Sequence, residues 1–585
     1  MNTTKKALVL SLATAICAFA AQYEGESASL SGGAKNVNSA DASGTGYADM
    51  QEGNITFTGV TAESAGKYLL TIHYKASDDK INYLKVNGAS AGSIDFKATD
   101  KWTDVSTPVT LKAGTNSIAL EKFWGWISVD YISIDPYQSQ AFNLSATPVT
   151  KNATGAAQKL YSFLAENFGK KTISGIMTGD MSAYTKGADF KTHDDAKDIY
   201  NRSGKYPALM GVDFLFASGP NASTGWNMEY TEKAISLAKD LWKQGGIPAF
   251  TWHWKDPLDQ KDAFYIQSAA NGGEYTDFNF ATAFKSGTTE WNTESAAYKG
   301  IVADIDHIAD YFLELQKDSV AAIFRPLHEA GGKWFWWSIN NGKQFAALYR
   351  LVFDRMVNVK GVRNLVWVYN PESANVTDWD PGKEYYDVIS IDIYAGDNDN
   401  SSQSSAFDKY KTATNASKII ALSENGPIPD IKNMVTDEAV WSWWMPWYGT
   451  WSGKWPGQTS NSVWKSNMED ERVLTIDKMP GWDKYKPSAT PSENPTSSSD
   501  PASSSSVNPA SSNSNVTPAS SSSSDGTTRL AKIEHWGGTE AIIGVFDMNG
   551  HYIGKDASLT GLANGRYIVR SKVGNRTVTR IAIKK

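Results

Sequence analysis

The chain of 585 residues holds one cysteine, Cys17, and it lies in an N-terminal stretch expected to be removed. The mature chain is therefore expected to carry no thiol and no disulfide, so oxidative staples play no part in its stability. Past that stretch, no run reaches the roughly 18 consecutive apolar residues of a membrane-spanning helix. Charge of one sign is lacking too. The formal net charge is only −7, which gives no reason to expect nucleic acid as a partner. Stability must therefore come from buried cores, and the length suits about two to four domains.

Aromatic residues are plentiful, with 22 Trp and 26 Tyr. Flat rings fill large cores, and they also stack on the flat apolar faces of sugar rings. The N-terminus, "MNTTKKALVLSLATAICAFAAQ", joins Lys5 and Lys6 to an apolar run over 7–17 and a small-x-small site at Ala18-Phe19-Ala20. That is a secretory signal peptide over residues 1–20, so a secreted protein is expected, extracellular or attached at the cell surface. Ile16 before Cys17 departs from a lipoprotein signal, which wants a small residue there.

Residues 22–137 read as short strands with Gly or Asn between them, among them "GNITFTGV", "GKYLLTIHYKA" and "ISVDYISID". Period-two alternation of this kind predicts an all-β sandwich. Residues 151–485 change character. Amphipathic stretches such as "YTEKAISLAKDLWKQG" alternate with eight short apolar runs: "KTISGIM", "YPALMGVDF", "IPAFTWHW", "VAAIFRPLHE", "NLVWVYNP", "YDVISIDIY", "KIIALSENG" and "VWSWWMPWYG". Hydrophobic runs without alternation are strands buried on both faces. Their repetition predicts a (β/α)8 TIM barrel, with an open doubly wound sheet as the rival. No Gly-rich phosphate loop follows the first run, which counts against a nucleotide-binding version of that rival. Residues 487–526 are Ser, Pro and Asn with almost no hydrophobics, a disordered linker. Residues 528–585 regain strand patterning and form a small all-β C-terminal domain.

In a (β/α)8 barrel the side chains at strand C-termini line the active site. The fourth run delivers Arg325, His328 and Glu329, and the seventh delivers Glu424. The third ends in Trp252 and His253, the sixth in Asp392 and Tyr394, and the eighth in Trp443, Trp444 and Trp447. Two carboxylates facing each other in an aromatic cleft are what retaining glycoside hydrolysis requires. A lone Glu at a strand end is usually a solvated or paired acid, but two on opposite runs with His, Arg, Tyr and Trp beside them favour chemistry. A metal site at His253, His328 and Glu329 is the other option, although the spacing is not H-E-x-x-H.

The stretch "RPLHEAGGKWFWW" resembles the signature of glycoside hydrolase family 26, chiefly endo-β-1,4-mannanases, and the resemblance covers about residues 150–480. It implies Glu329 as general acid/base and Glu424 as nucleophile, with no cofactor for catalysis and a β-mannan polysaccharide as substrate. His253, His328, Trp334, Tyr394, Trp447 and Arg325 are the implied substrate-binding set. Tyr394 is expected to hydrogen-bond the nucleophile and Arg325 to keep it ionised. Apolar walls such as Trp334 are expected to raise the pKa of Glu329. Gly331 stands where many members carry Asn, so no sugar contact is inferred there. β-1,3-Xylanase and mixed-linkage β-glucanase activities of the same family stay open, as does a non-catalytic polysaccharide-binding protein.

The first domain, with "YEGESASLSGGAK", "GTGYAD" and "WGWISVDYISI", resembles carbohydrate-binding module family 35. The resemblance implies a structural calcium held by Glu24, Glu26 and Asp130. Trp124 and Trp126, two apart, are candidate sugar platforms that would share one face of a strand, with Lys122 beside them. The last unit, with "VFDMNGHYI" and a terminal "IAIKK", resembles secretion and sorting domains of extracellular enzymes, so secretion or cell-envelope machinery is an expected partner. A second carbohydrate-binding module is the alternative, although only Trp536 lies there. A monomer is expected.

Overall fold

The structure, a computed structural model, describes residues 21–488 except 138, 271, 373–375 and 450–454, together with the backbone of four strands between 540 and 584. The expected signal peptide, the expected linker from residue 489 onward and Trp536 lie outside the described residues.

The N-terminal module is all β. Its strands are β1 (Ala21–Glu24), β2 (Ser29–Ser31), β3 (Lys35–Asn38), β4 (Gly46–Asp49), β5 (Asn54–Ala62), β6 (Gly66–Ala76), β7 (Lys80–Val86), β8 (Ala89–Phe96), β9 (Thr99–Leu111), β10 (Gly114–Glu121) and β11 (Ser128–Pro136). One sheet runs β3-β4-β11-β6-β9 with β1 paired to β11, and the other runs β2-β5-β10-β7-β8. The alternation read from the sequence is the reason. On β6, Tyr68, Leu70, Ile72, Tyr74 and Ala76 are buried while the residues between them are partly exposed. They meet Phe57, Leu84, Ile118 and Leu120 of the facing sheet in one core.

The central region is a curled, TIM-barrel-like parallel sheet. Its strands are β12 (Thr172–Met177), β13 (Leu209–Asp213), β14 (Ile247–Thr251), β15 (Ala322–Arg325), β16 (Leu365–Tyr369), β17 (Val388–Ile393), β18 (Ile419–Asn425) and β19 (Trp443–Trp444). They order as β18-β17-β16-β15-β14-β13-β12-β19. The two ends meet where Asn425 bridges Pro446 in parallel and Ser442 N donates to Ile420 O at 2.9 Å. Every residue of β12, β16 and β18 is buried, which explains the missing alternation: one face packs inward and the other under helices.

Helix α1 (Gly155–Asn167) precedes β12, and α2 (Asp194–Ser203), α3 (Gly225–Lys243), α4 (Ala296–Lys317) and α5 (Gly342–Asp354) follow the first four strands. After β17, β18 and β19 come α6 (Ser404–Ala413), α7 (Ile431–Thr436) and α8 (Asn461–Glu469). Side-chain caps start several of them: Ser295 accepts from Tyr298 N on α4, and Asn341 from Gln344 N on α5. The expected regular eightfold repeat fails in one place. Among the described residues no α-helix follows β16, where Pro371 and Pro381-Gly382 break any helical run. The eighth strand is also shorter than its apolar run, because Pro446 has no amide to continue the ladder. No helix of the described residues is long and apolar enough to cross a membrane.

The module rests on α6. Lys67 Nζ pairs with Asp408 Oδ2 at 2.6 Å, with both side chains buried, and Lys409 pairs with Asp95 at 2.5 Å. Taken by itself, the C-terminal unit shows β20 (Glu540–Phe546), β21 (Tyr552–Gly554), β22 (Gly565–Val573) and β23 (Arg576–Lys584), an antiparallel sheet in the order β21-β20-β22-β23.

Candidate active site

Glu329 stands four residues past the last residue of β15, in a backbone that it would not choose alone. Leu327 and Glu329 both have positive φ, +51° and +54°, which for non-glycine residues costs on the order of 1 kcal/mol each. Several bonds hold the segment. Glu329 N donates to Asn370 Oδ1 at 2.8 Å, Ala330 N to Asn370 O at 3.0 Å, and Trp337 Nε1 to His328 O at 2.8 Å. Gly331 then turns at φ +83°. A Cβ on Gly332 would sit 2.4 Å from the Trp334 ring, so only glycine lets that indole fold back over the chain. The fold brings Trp334 Nε1 to Glu329 Oε2 at 2.5 Å.

Burial and the negative charge of Glu424 push the Glu329 carboxyl up to about 8. Trp334 acts against the expected direction: its N–H favours the anion, so enclosure and the second carboxylate do the raising. Glu424, at the end of β18, has a different setting. Arg325 Nη2 donates to its Oε1, and Tyr394 Oη donates to its Oε2 at 2.7 Å. Oxygens of Glu329, Asp392 and Glu424 lie within 4.8 Å of one another. The cation among them is Arg325, whose Nη1 also donates to Asp392 Oδ2 at 2.8 Å and Asn370 Oδ1 at 3.1 Å.

The expected rim residues divide into two groups. Tyr394 is 42% exposed, and Trp334 and Trp447 are partly exposed. His253 is edge-on to Trp447, with 5.8 Å between ring centroids. Arg325 and His328 are buried behind the rim and neither is placed as a sugar contact, and His253, only 9% exposed, is buried with them. His328 spends both nitrogens on the protein, with Nε2 3.2 Å from His253 Nε2 and Nδ1 3.4 Å from Thr251 Oγ1. Asp213 Oδ2 takes the Nδ1 proton of His253 at 2.5 Å, which leaves His253 Nε2 to accept from His328. Burial, His253 and Arg325 hold the His328 imidazole well below the usual range, consistent with that neutral donor. The two histidines therefore orient each other and do not form a metal pair with Glu329.

Trp252, Trp443 and Trp444 are corrections, since all three are buried in the core. Phe335, Trp336 and Trp337 are buried too: Phe335 and Trp337 pack against His328, and Trp336 packs against Trp254. Asn370 and Asp213 were overlooked. They end the fifth and second apolar runs, so the strand-end rule that found Glu424 points to them as well.

In the module, Trp124 and Trp126 are 52% and 47% exposed, but they sit in the loop between β10 and β11 and not on a strand. Gly125 and Trp126 both have positive φ, and this turn aims the two rings outward. Trp126 Nε1 donates to Glu52 Oε1 at 2.5 Å, and Lys122 pairs with the same carboxylate. Tyr83 and Phe123, 5.0 Å apart, extend the exposed aromatic surface. At the other candidate site, Glu24, Glu26 and Asp130 surround the turn at residues 43–45. Ser43 Oγ donates to Glu24 Oε2 at 2.6 Å and Asp130 Oδ1 at 3.0 Å, while Thr45 N donates to Glu26 Oε1 at 2.7 Å. Glu26 Oε2 is buried with no hydrogen-bond partner, so its lone pairs could serve a cation. The donors are hard oxygens of the kind that calcium takes.

Facing carboxylates in contrasting environments, at the C-terminal rim of a curled parallel sheet, define a glycoside hydrolase of TIM-barrel-like fold. The chain belongs to glycosyl hydrolase family 26, whose model matches residues 149–478. Enzymes of this family need no cofactor for catalysis. Residues 21–137 match the family 35 carbohydrate-binding module. The chain is 34% identical over 450 residues to mannan endo-1,4-beta-mannosidase B of Piromyces sp, covering 75% of this chain and 74% of the relative. The crystal structure of the Podospora anserina GH26-CBM35 beta-(1,4)-mannanase is similar at 29% identity and a TM-score of 0.52, over 79% of this chain and 99% of that one. A beta-mannanase from a symbiotic protist of the termite Reticulitermes speratus, solved with gluco-manno-oligosaccharide, is 38% identical with a TM-score of 0.51, over 59% of this chain and all of that one, 100%.

Proposed function

We propose that this protein is a secreted, endo-acting β-1,4-mannanase that works by double displacement with retention. The observation that carries the mechanism is the contrast between the two glutamates. Glu329 is the general acid, since a carboxyl raised to about 8 still holds its proton at neutral pH. Glu424 is the nucleophile, with one oxygen on Arg325 and the other on Tyr394. Carboxylate oxygens within 4.8 Å of each other suit the close retaining spacing of about 5–5.5 Å better than the inverting spacing of about 6.5–9.5 Å.

The cycle follows from the charges. Glu329 gives its proton to the glycosidic oxygen as Glu424 attacks the anomeric carbon. Once Glu424 is esterified its negative charge is gone, which leaves burial but removes the repulsion that had added to it in raising Glu329. Glu329, left as a carboxylate after giving up its proton, takes a proton from the water that releases the sugar. Arg325 and Asp392 remain paired throughout and fix the place of Glu424.

The mannan assignment is supported by the activities named for the relatives. A panel of β-mannan, β-1,3-xylan and mixed-linkage β-glucan tests it: mannan is the expected substrate, and preference for another polymer rejects it. Glu424→Ala is expected to abolish hydrolysis of soluble mannan while polysaccharide binding persists, and unchanged turnover sinks the nucleophile role. NMR of the first-formed anomer tests retention. Trp124 and Trp126 are the proposed ligand platform of the module, and Glu24, Glu26 and Asp130 would hold its calcium. Export by the N-terminal signal and sorting through the C-terminal unit complete the proposal, with a monomer as the working form.

A further inference from the structure

We propose that the N-terminal module takes part in catalysis through its seat on α6: the docked helix holds the loop of Glu329 by way of Tyr410, a positioning residue. The proposal rests on Glu329 being the general acid and extends that reading. Among the described residues no α-helix follows β16, so the segment Asn370-Pro371-Glu372 has no helix of its own repeat behind it. Yet this segment carries the acid loop. Ala330 N donates to Asn370 O at 3.0 Å, Glu372 N donates to Ala330 O at 3.0 Å, and Glu329 N donates to Asn370 Oδ1 at 2.8 Å. The positive φ of Leu327 and Glu329 is kept by such bonds, since neither residue would choose it alone. Support for the segment comes from the following repeat. Tyr410 of α6, fully buried, donates its Oη to Pro371 O at 2.6 Å, in the middle of the segment.

Helix α6 is poorly built to hold that place by itself. It spans 10 residues, its N-cap Gln403 has φ +55°, and no side chain caps its first turn. An isolated helix shorter than about 12–15 residues is marginal in water, so packing must hold it. The sheet takes one face. Phe407, three residues before Tyr410, is buried edge-on to Trp441 with 5.1 Å between ring centroids. The module takes the other. Lys67 of β6 pairs with Asp408 at 2.6 Å, Asp95 of β8 pairs with Lys409 at 2.5 Å, and Thr107 Oγ1 of β9 lies 3.2 Å from Ser405 Oγ. A Cβ on Gly92 would come within 3.2 Å of Ser405 Cβ, so the module backbone lies directly on the helix. α6 is thus clamped between module and sheet. A shift of the helix passes through Tyr410 and Pro371 to Asn370, and from there to Glu329. Misplacing a reacting group by about 1 Å costs on the order of 100-fold in rate, so a small shift is enough to be felt.

The leaving group reads the acid directly. A sugar leaves only with a proton from Glu329, whereas a dinitrophenolate leaves without one. Full-chain variants are therefore compared by kcat/KM on β-1,4-mannotetraose and on dinitrophenyl β-mannobioside. Tyr410→Phe is expected to lower kcat/KM about tenfold on the tetraose and less than about twofold on the aryl substrate. Lys67→Ala should show the same contrast at about threefold, and the double variant should lose little more than Tyr410→Phe alone, because both act through one path. Equal losses on the two substrates, or none, in Tyr410→Phe overturn the positioning role. Losses that multiply in the double variant, or a Lys67→Ala variant equal to the wild type, overturn the share of the module. Should either variant fail to fold, Asp95→Asn, which unpairs only Lys409, is expected to show the contrast, and its absence overturns the proposal. Glu329→Gln is the reference. An equal loss on both substrates in that variant rejects Glu329 as the acid, and so the underlying reading, independently of Tyr410.

Discussion

Glu329→Gln should remove activity and, at neutral pH, make the protein more stable. The Glu329 carboxyl titrates near 4.5 when unfolded and is pushed up to about 8 in the folded cleft. A folded pKa above the unfolded one means that the native state binds a proton that the unfolded state has released. The side chain therefore has its full stability below about pH 4.5 and loses it as pH rises towards 8. Above 8 both states are ionised and the loss is complete. At pH 7 the gap of about 2.5 units corresponds to roughly 3 kcal/mol at 1.4 kcal/mol per unit, or about 2–3 kcal/mol after allowing for the partly open cleft.

Glutamine is neutral at every pH and can still accept from Trp334 Nε1 through its carbonyl oxygen, so it escapes this cost. The variant should melt with the wild type near pH 4.5 and a few degrees above it at pH 7. The assay is thermal unfolding by circular dichroism at pH 4.5, 6, 7 and 8.5. A melting difference that does not change with pH, or a variant less stable at pH 7, refutes the argument. Hydrolysis of mannan should fall about 10²–10⁴-fold, as expected for loss of general acid–base help. In the wild type, kcat/KM should fall as pH rises through about 8, where Glu329 loses its proton.

Asn370→Asp keeps an acceptor for Glu329 N but loses the amide that donates to Asp392 Oδ1 at 3.1 Å and Ser390 Oγ at 3.0 Å. Its added negative charge should move the basic limb of kcat/KM to higher pH, and kcat should drop with little change in KM; an unmoved pH profile rejects Asn370 as a positioning residue. Lys67→Ala leaves Asp408 buried without its partner and should destabilise the protein by about 3 kcal/mol, measured by urea unfolding. A change within experimental error would show that the module and α6 are not energetically coupled through that pair. Chelator should lower the melting temperature of the full chain, and calcium should restore it, if Glu24, Glu26 and Asp130 hold a cation. A melt indifferent to both dismisses the site.

Much of this architecture was legible because burial leaves a period in the sequence. Alternation along "GKYLLTIHYKA" gave the module its sandwich, and unbroken apolar runs gave the central region its parallel strands. The strand-end rule then selected Glu329, Glu424 and Tyr394 without geometry. What failed had no period to read. Trp124 and Trp126, two apart, suggest a strand, but Gly125 between them takes a positive φ and makes a turn. Trp443 and Trp444 belong to the eighth apolar run, but they are its paired strand residues, ahead of Pro446, and both lie inside the core.

The harder distinction was between residues that touch sugar and residues that hold those that do. Composition treats Arg325, His328 and Tyr394 alike, as polar groups beside two acids. Only three-dimensional contacts separate them. Tyr394 keeps a face in the cleft, whereas Arg325 is fully engaged with Glu424, Asp392 and Asn370. The same separation explains "HEAGGKWFWW". Gly332 lets the Trp334 ring fold back onto Glu329, while Trp337, bonded to His328 O, and Asn370, bonded to Glu329 N, hold the strained φ of +54° in place. An acid that must stay protonated needs enclosure and a like charge nearby, and burial together with Glu424 supplies both against the opposing pull of Trp334 and Arg325.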